Sequence, residues 1–210
     1  METVAVLDFE TTGLAPNWGD RATEIAIAMV RDGKVVDRFQ SLMNAGRHIP
    51  AEIIRLTGIT NEMIARAPSA ANVMRDAAHF VGQTPLVAHN AAFDKKFWEA
   101  ELARVSLRSV SRFACTLLLA RRIYPDSPNH RLSTLIQRLR LPNPGRAHRA
   151  MVDAEMTGDL WCRIQQDVAQ RYAIHAVDHQ LLTRVQRTAS TQVAELLRTF
   201  AGGKARIQTQ

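Results

Sequence analysis

Residues 4 to 14, VAVLDFETTGL, set two carboxylates, Asp8 and Glu10, inside an otherwise apolar run. Val4, Ala5, Val6, Leu7 and Phe9 read as a strand buried on both faces, where an unpaired carboxylate is costly or takes up a proton instead. Side chains two apart on a strand point the same way, so Asp8 and Glu10 leave one face together near the strand's C-terminal end. Such a pair shares a proton or holds a cation. With no cysteine nearby, hard oxygen donors favour Mg²⁺ or Mn²⁺ over zinc. An exposed strand end with solvated acids is the plainer alternative.

The rest of the chain reads as α/β. ATEIAIAMVRDGKVVDRFQSLM gives two strands joined at Asp32-Gly33, a dipeptide suited to a tight hairpin, so the first three strands make an antiparallel start. IPAEIIRLTG predicts a short helix led by Pro50 and closed by Gly58, and Ser69 can cap the next helix, with Val73, Ala77, Phe80 and Val81 inward. A short strand from Leu86 to Ala88 runs into a turn at His89-Asn90 and a further helix. Another strand is expected at Ser109 to Ala114, then a helix to Tyr124 and a basic amphipathic helix in RLSTLIQRLRL. The loop PNPGRAHRA leads into a helix with Val152, Met156, Leu160 and Ile164 inward. An apolar stripe at Leu182, Val185, Ala189, Val193, Leu196 and Phe200 predicts one long helix or a broken pair, stopped by Gly202 and Gly203.

At 210 residues the chain suits one domain with an appendage. Its 27 Lys and Arg against 20 Asp and Glu give a net charge of +7, which favours a polyanionic partner. Cys115 and Cys162 lack metal or disulfide spacing and read as reduced thiols of a cytoplasmic protein, and no run is apolar enough for a membrane span. Two more acids sit at helix starts: Asp94, after the HNAAF turn, and Asp153, after GRAHRAM. Each alone has a bland reading, because an acid in a first helical turn complements the macrodipole.

Taken together, DFETTGL, HNAAFD and HRAMVDAE resemble, in order and spacing, the three motifs of the DEDDh, DnaQ-like 3′-to-5′ exonucleases, over about residues 3 to 165. TGIT at Thr57 to Thr60 is similar to a stretch in the proofreading subunits of bacterial replicative polymerases, and the family also includes RNase T-like enzymes. The resemblance implies an RNase H-like mixed five-stranded sheet flanked by helices over residues 1–170, with a helical extension over 171–210. It implies that Asp8, Glu10, Asp94 and Asp153 hold two divalent cations and that His148, five residues before Asp153, is the general base. Thr11 and Leu14 would contact the terminal nucleotide, with His89 and Asn90 shaping the second motif's turn. His89 also reads as a hydrogen-bonded turn residue and nothing more.

Two such ions together activate a water, neutralise the phosphate and stabilise the leaving oxyanion, which is what phosphodiester hydrolysis needs. An imidazole with a pKa near 6.5 suits the role of base at neutral pH. Lys95, Lys96, Arg131, Arg146 and Arg149 could track phosphates, and Phe9, Phe93, Phe97 and Trp98 could stack on a base or simply fill the core. The expected activity is release of nucleoside 5′-monophosphates from single-stranded or frayed 3′ ends, most readily DNA. An exoribonuclease of the same family and a noncatalytic nucleic-acid-binding module are the alternatives. The C-terminal stripe would contact a polymerase, form a homodimer or pack on its own domain.

Overall fold

The computed structural model describes residues 2–143 and 149–205. His148 and Arg146 lie outside the described residues. Strands β1 (Val4–Thr11), β2 (Ala22–Arg31) and β3 (Lys34–Leu42) run antiparallel in series. Asp32 and Gly33, at φ of 53° and 77°, make the tight β2–β3 turn, whose left-handed backbone matches the twist of the flanking strands.

Helices α1 (Ala51–Thr57), α2 (Asn61–Ala65) and α3 (Ala70–Val81) follow. Ser69 caps α3 by accepting from the Asn72 N–H, as its sequence position predicts. Helix α2 was not foreseen; Thr60 caps it by accepting from the Met63 N–H at 3.2 Å. The chain then returns through β4 (Leu86–Ala88), α4 (Ala91–Arg104), β5 (Phe113–Cys115), α5 (Thr116–Ile123), α6 (Leu132–Arg138) and α7 (Ala150–Tyr172). It ends in α8 (His179–Val185) and α9 (Val193–Ala205). The sheet order is β3-β2-β1-β4-β5, with β4 parallel to β1 and β5 parallel to β4.

Two expectations need correction. The fifth strand is Phe113–Cys115 and not Ser109–Ala114, because its ladder partner, β4, offers three residues, Leu86 to Ala88. The last helix runs through Gly202 and Gly203 to Ala205. Glycine weakens a helix by about 1 kcal/mol but ends it only where the backbone turns left-handed, and Gly202 does not. The C-terminal stripe forms a broken pair, α8 and α9. Leu182, Val185 and Val193 of that stripe are buried in the chain's own core.

Two cores lie on the two sheet faces. Ala5, Leu7 and Phe9 face Met74 of α3 and Phe97, Trp98 and Leu102 of α4. Val4 and Val6 face α7, with Leu160, Trp161 and Ile164. Helix α7 lies close over the sheet at Gly158, where a Cβ would sit 3.1 Å from Val30 Cγ2. Asp8 and Glu10 continue the Val4–Val6 row and so point toward the α7 side.

The C-terminal helices also finish the sheet. Gln186 acts as a surrogate neighbour for β5, accepting from the Cys115 N–H at 2.6 Å and donating to the Phe113 carbonyl at 3.2 Å. Buried His179 donates from Nε2 to the Leu86 carbonyl at 3.0 Å, and burial holds its pKa down. An otherwise open strand edge is thereby covered. Among the described residues no helix is long and apolar enough to cross a membrane.

Candidate active site

Parallel strands carry their C-terminal ends to the same side of a sheet, so the ends of β1 and β4 meet there. Strand β1 supplies Asp8 and Glu10, and α4, entered from β4, supplies Asp94 in its first turn. Helix α7 supplies Asp153, also in its first turn. Asp8, Glu10 and Asp153 each offer a carboxylate oxygen such that the three atoms lie within 4.8 Å of one another. Residues 145 positions apart are thus gathered into one cluster.

Asp94 stands outside that tight set of three. It is 2% exposed, and its Oδ1 accepts from the Phe9 N–H at 3.3 Å. That N–H points toward β4, which ends at Ala88 and leaves it without a ladder partner. Asp94 takes the vacant place and ties α4 to β1.

Burial raises the acids, and for Asp8 and Glu10 the neighbouring carboxylates add to it. Burial, then the charges of Asp94, Asp153, Glu10 and Glu24, hold the Asp8 carboxyl well above the usual carboxylate range. Burial, then Asp153, Glu24 and Asp94, push Glu10 up to about 8, with Arg149 pulling weakly the other way. Burial also pushes Asp94 up to about 8 despite its hydrogen bond from Phe9. Such a set accepts either protons or cations near neutral pH, and its all-oxygen chemistry fits a hard divalent ion.

Glu24 was missed in the sequence. It stands opposite Glu10 in the β1–β2 register and is 1% exposed. Gln40 Nε2 donates to its Oε1 at 2.8 Å, and the Ala150 N–H donates to its Oε2 at 3.4 Å. Arg149 Nη2 lies 3.8 Å from Oε1. Glu24 therefore anchors the start of α7, one turn from Asp153, with an anion at the helix's positive end. The signal was partial: Glu24 is an acid near the start of an apolar strand, and only α7, remote in sequence, buries it.

Other expected site residues have distinct settings. The Thr11 hydroxyl is buried and donates to the Gly13 carbonyl at 2.6 Å, while Leu14 is exposed. Asn90 is exposed, with the left-handed backbone that asparagine tolerates, φ 65°. His89 uses both ring nitrogens: Nε2 lies 3.0 Å from the His130 carbonyl and Nδ1 2.9 Å from the Thr116 hydroxyl. A carbonyl only accepts, so Nε2 carries the proton and Nδ1 accepts. Burial brings the His89 pKa down to about 4, so the ring is neutral. Phe9, Phe97 and Trp98 are core, and Phe93 packs partly buried against them.

Beside the cluster lies a cavity of about 840 Å³ lined by Asp153, His89, Asn90, Arg121, His130 and Arg131, among others. It is wide enough for a nucleotide-sized ligand, and Arg121 and Arg131 bring positive charge to its wall.

An RNase H-like sheet bearing a carboxylate cluster at the ends of its parallel strands defines a nuclease that hydrolyses phosphodiesters. The chain belongs to the exonuclease family, whose model matches residues 5–161, and within it to the DEDDh, DnaQ-like 3′-to-5′ exonucleases. It is 38% identical over 178 residues to the PolC-type DNA polymerase III of Bacillus subtilis and 37% identical over 171 residues to that of Bacillus cereus. Those matches cover 81% of this chain and 12% of each relative, so the chain spans about one eighth of the length of these relatives. Exonuclease X, solved in complex with 5′ overhanging duplex DNA, superposes with a TM-score of 0.67 at 28% identity, covering 86% of this chain and 98% of that one. E. coli exonuclease I, solved with a dT13 oligonucleotide, shares the fold at a TM-score of 0.69 and 18% identity, covering 87% of this chain and 46% of that one.

Proposed function

We propose that this 3′-to-5′ exonuclease acts on DNA, in proofreading or repair, and removes nucleoside 5′-monophosphates from single-stranded or frayed 3′ ends. The observation that carries the reading is the approach of Asp8, Glu10 and Asp153 to within 4.8 Å at the strand ends. The kinship with PolC-type polymerases favours DNA over RNA and a place beside a replicative polymerase.

In this reading Asp8, Glu10 and Asp153 hold a divalent cation, Mg²⁺ or Mn²⁺, and Asp94 serves a second from the α4 side. Bound there, divalent ions neutralise the phosphate and make water acidic enough to yield a nucleophile near neutral pH. The protein's own groups do the rest. His148 takes the proton of the attacking water; it lies outside the described residues and is assigned by its offset from Asp153. Glu24 keeps the α7 start, and with it Asp153, against β1. Arg121 and Arg131 hold the phosphates of the entering strand in the cavity, while Thr11, Leu14 and Asn90 border the terminal nucleotide. His89, neutral and bonded at both nitrogens, fixes the turn that delivers Asp94.

The test is a comparative digestion of end-labelled single-stranded DNA, duplex DNA and RNA of matched sequence, with Mg²⁺ or Mn²⁺ and with EDTA. Stepwise loss from the 3′ end, fastest on single-stranded DNA and absent in EDTA, is expected. Preference for RNA would replace the DNA assignment with an exoribonuclease; binding without metal-dependent cleavage would replace it with a noncatalytic module.

A further inference from the structure

The chain has three tryptophans, and one stands apart. Trp98 and Trp161 are 2% and 1% exposed, whereas Trp18 is 90% exposed and shares its loop with Leu14, 73% exposed. That loop is fastened throughout. The Thr12 hydroxyl donates to Asp20 Oδ1 at 3.3 Å, the Ala15 N–H donates to Asp20 Oδ2 at 2.9 Å, and the Arg21 N–H donates to Thr12 Oγ1 at 3.0 Å. A Cβ at residue 13 would lie 2.5 Å from Asp20 Oδ2, so only glycine lets Asp20 close over the turn. Pro16–Trp18 form a single 3₁₀ turn, and Arg47 Nε donates to the Gly19 carbonyl beyond it at 3.1 Å. Lys96, two residues past Asp94, donates to the Leu14 carbonyl.

A loose loop with an exposed tryptophan would mean little. Here a ring that gains by burying its faces is held in water on a fastened backbone frame, so the loop's share of the ordering cost is already met. The frame starts directly after β1, which carries Glu10, and is stitched by Lys96 to the helix that carries Asp94, so it forms one rim of the acid cluster. Arg47 and Lys96 set positive charge at the Gly19 and Leu14 carbonyls, on the same loop as the two apolar side chains. An aromatic face bordered by cations matches a strand of unpaired bases on a phosphate chain.

We propose that Trp18 stacks on an unpaired nucleobase of the strand whose 3′ end enters the acid cluster, so that single-stranded and frayed ends are selected over paired ones. The inference rests on the exonuclease reading above. A paired end must first give up its own stacking before it can use the ring, so selectivity for unpaired ends follows from the platform.

Because Trp98 and Trp161 are buried, the solvent-exposed, red-shifted part of the tryptophan emission reports Trp18. In EDTA, a short oligothymidylate is expected to quench that emission, and the same phosphate chain with abasic residues at its 3′ end to leave it unchanged. W18A should abolish the quenching and raise KM for single-stranded DNA about tenfold, with a smaller change in kcat, and W18F should recover most of the loss. Equal quenching by the abasic chain, no quenching by any oligonucleotide, or an unchanged KM in W18A would overturn the proposal. If the wild type cleaves DNA while any of these holds, only the role of Trp18 falls. If the wild type cleaves no nucleic acid, the exonuclease reading falls, and base-dependent quenching still decides whether Trp18 stacks.

Discussion

Glu101 and the acids of the cluster, all drawn into the fold, are treated in opposite ways. Glu101 of α4, 2% exposed, meets Arg21 in a bidentate pair at 2.7 and 2.8 Å and accepts the Ala22 N–H at 3.2 Å. In the cluster acid faces acid, and Asp8, Glu10 and Asp94 are all held above the usual carboxylate range. A buried acid that is answered by a cation of the chain pins two elements together. A set of acids that repel one another is poised for a ligand from outside, at a cost to stability that the rest of the fold must carry.

Exchange of function for stability should therefore differ in sign between the two, and that is the sharpest way to break the comparison. D8A should lower kcat by about a thousandfold or more if Asp8 holds the proposed ions, while its melting temperature in EDTA equals or exceeds that of the wild type. E101A should instead strand Arg21, cost about 3–5 kcal/mol and lower the melting temperature by roughly 10 °C, with turnover of the folded protein kept. Thermal melts beside initial rates decide both. A D8A protein that melts well below the wild type in EDTA would make the cluster structural.

H148A tests the base rather than the ions, and kcat is expected to drop about a hundredfold at neutral pH without a change in melting temperature. Full activity there would remove His148 from the mechanism. Smaller still is the effect of Glu24, which touches the cluster through α7. E24A should lower kcat about tenfold, and E24Q, which keeps an acceptor for the Ala150 N–H, should restore most of it. Equal loss in both variants would mean that the charge, and not the anchor, matters.

The smallest effect is on pH dependence. Glu10 and Asp94 have folded pKa values raised to about 8, so the stability they contribute is present below the unfolded value near 4 and is lost as pH rises through about 8. His89 and His179, with lowered values, act in the opposite direction but only below about 6.5. In EDTA the melting temperature should thus fall by a few degrees from pH 7 to 8.5, and Mg²⁺ should remove most of the fall. A flat or rising profile in EDTA would show that the acids do not strain the metal-free protein.

Much of this architecture is legible in the chain. The β2–β3 turn at Asp32-Gly33, the caps at Ser69 and Gly58 and the β1 acids are local signals, in which neighbouring residues decide the outcome. What was illegible depends on partners remote in sequence. The length of β5 is set by β4, and the continuation of α9 past Gly202 is a helix-end choice that composition alone does not make. Glu24 lies at the start of an apolar strand, where an acid reads as solvated; its burial comes from α7, which arrives 126 residues later. Trp18 drew no notice because a tryptophan in a short loop carries no pattern, and its exposure is visible only once the loop is folded.

The central claim is that Asp8, Glu10 and Asp153 form one site that exchanges protons for a divalent cation. Calorimetric titration of Mn²⁺ at pH 7, in two buffers of different ionisation enthalpy, tests it without any substrate. Saturable binding with net proton release, lost in D8A and D153A alike, is expected. Binding that survives both substitutions, or no binding at millimolar Mn²⁺, would contradict it.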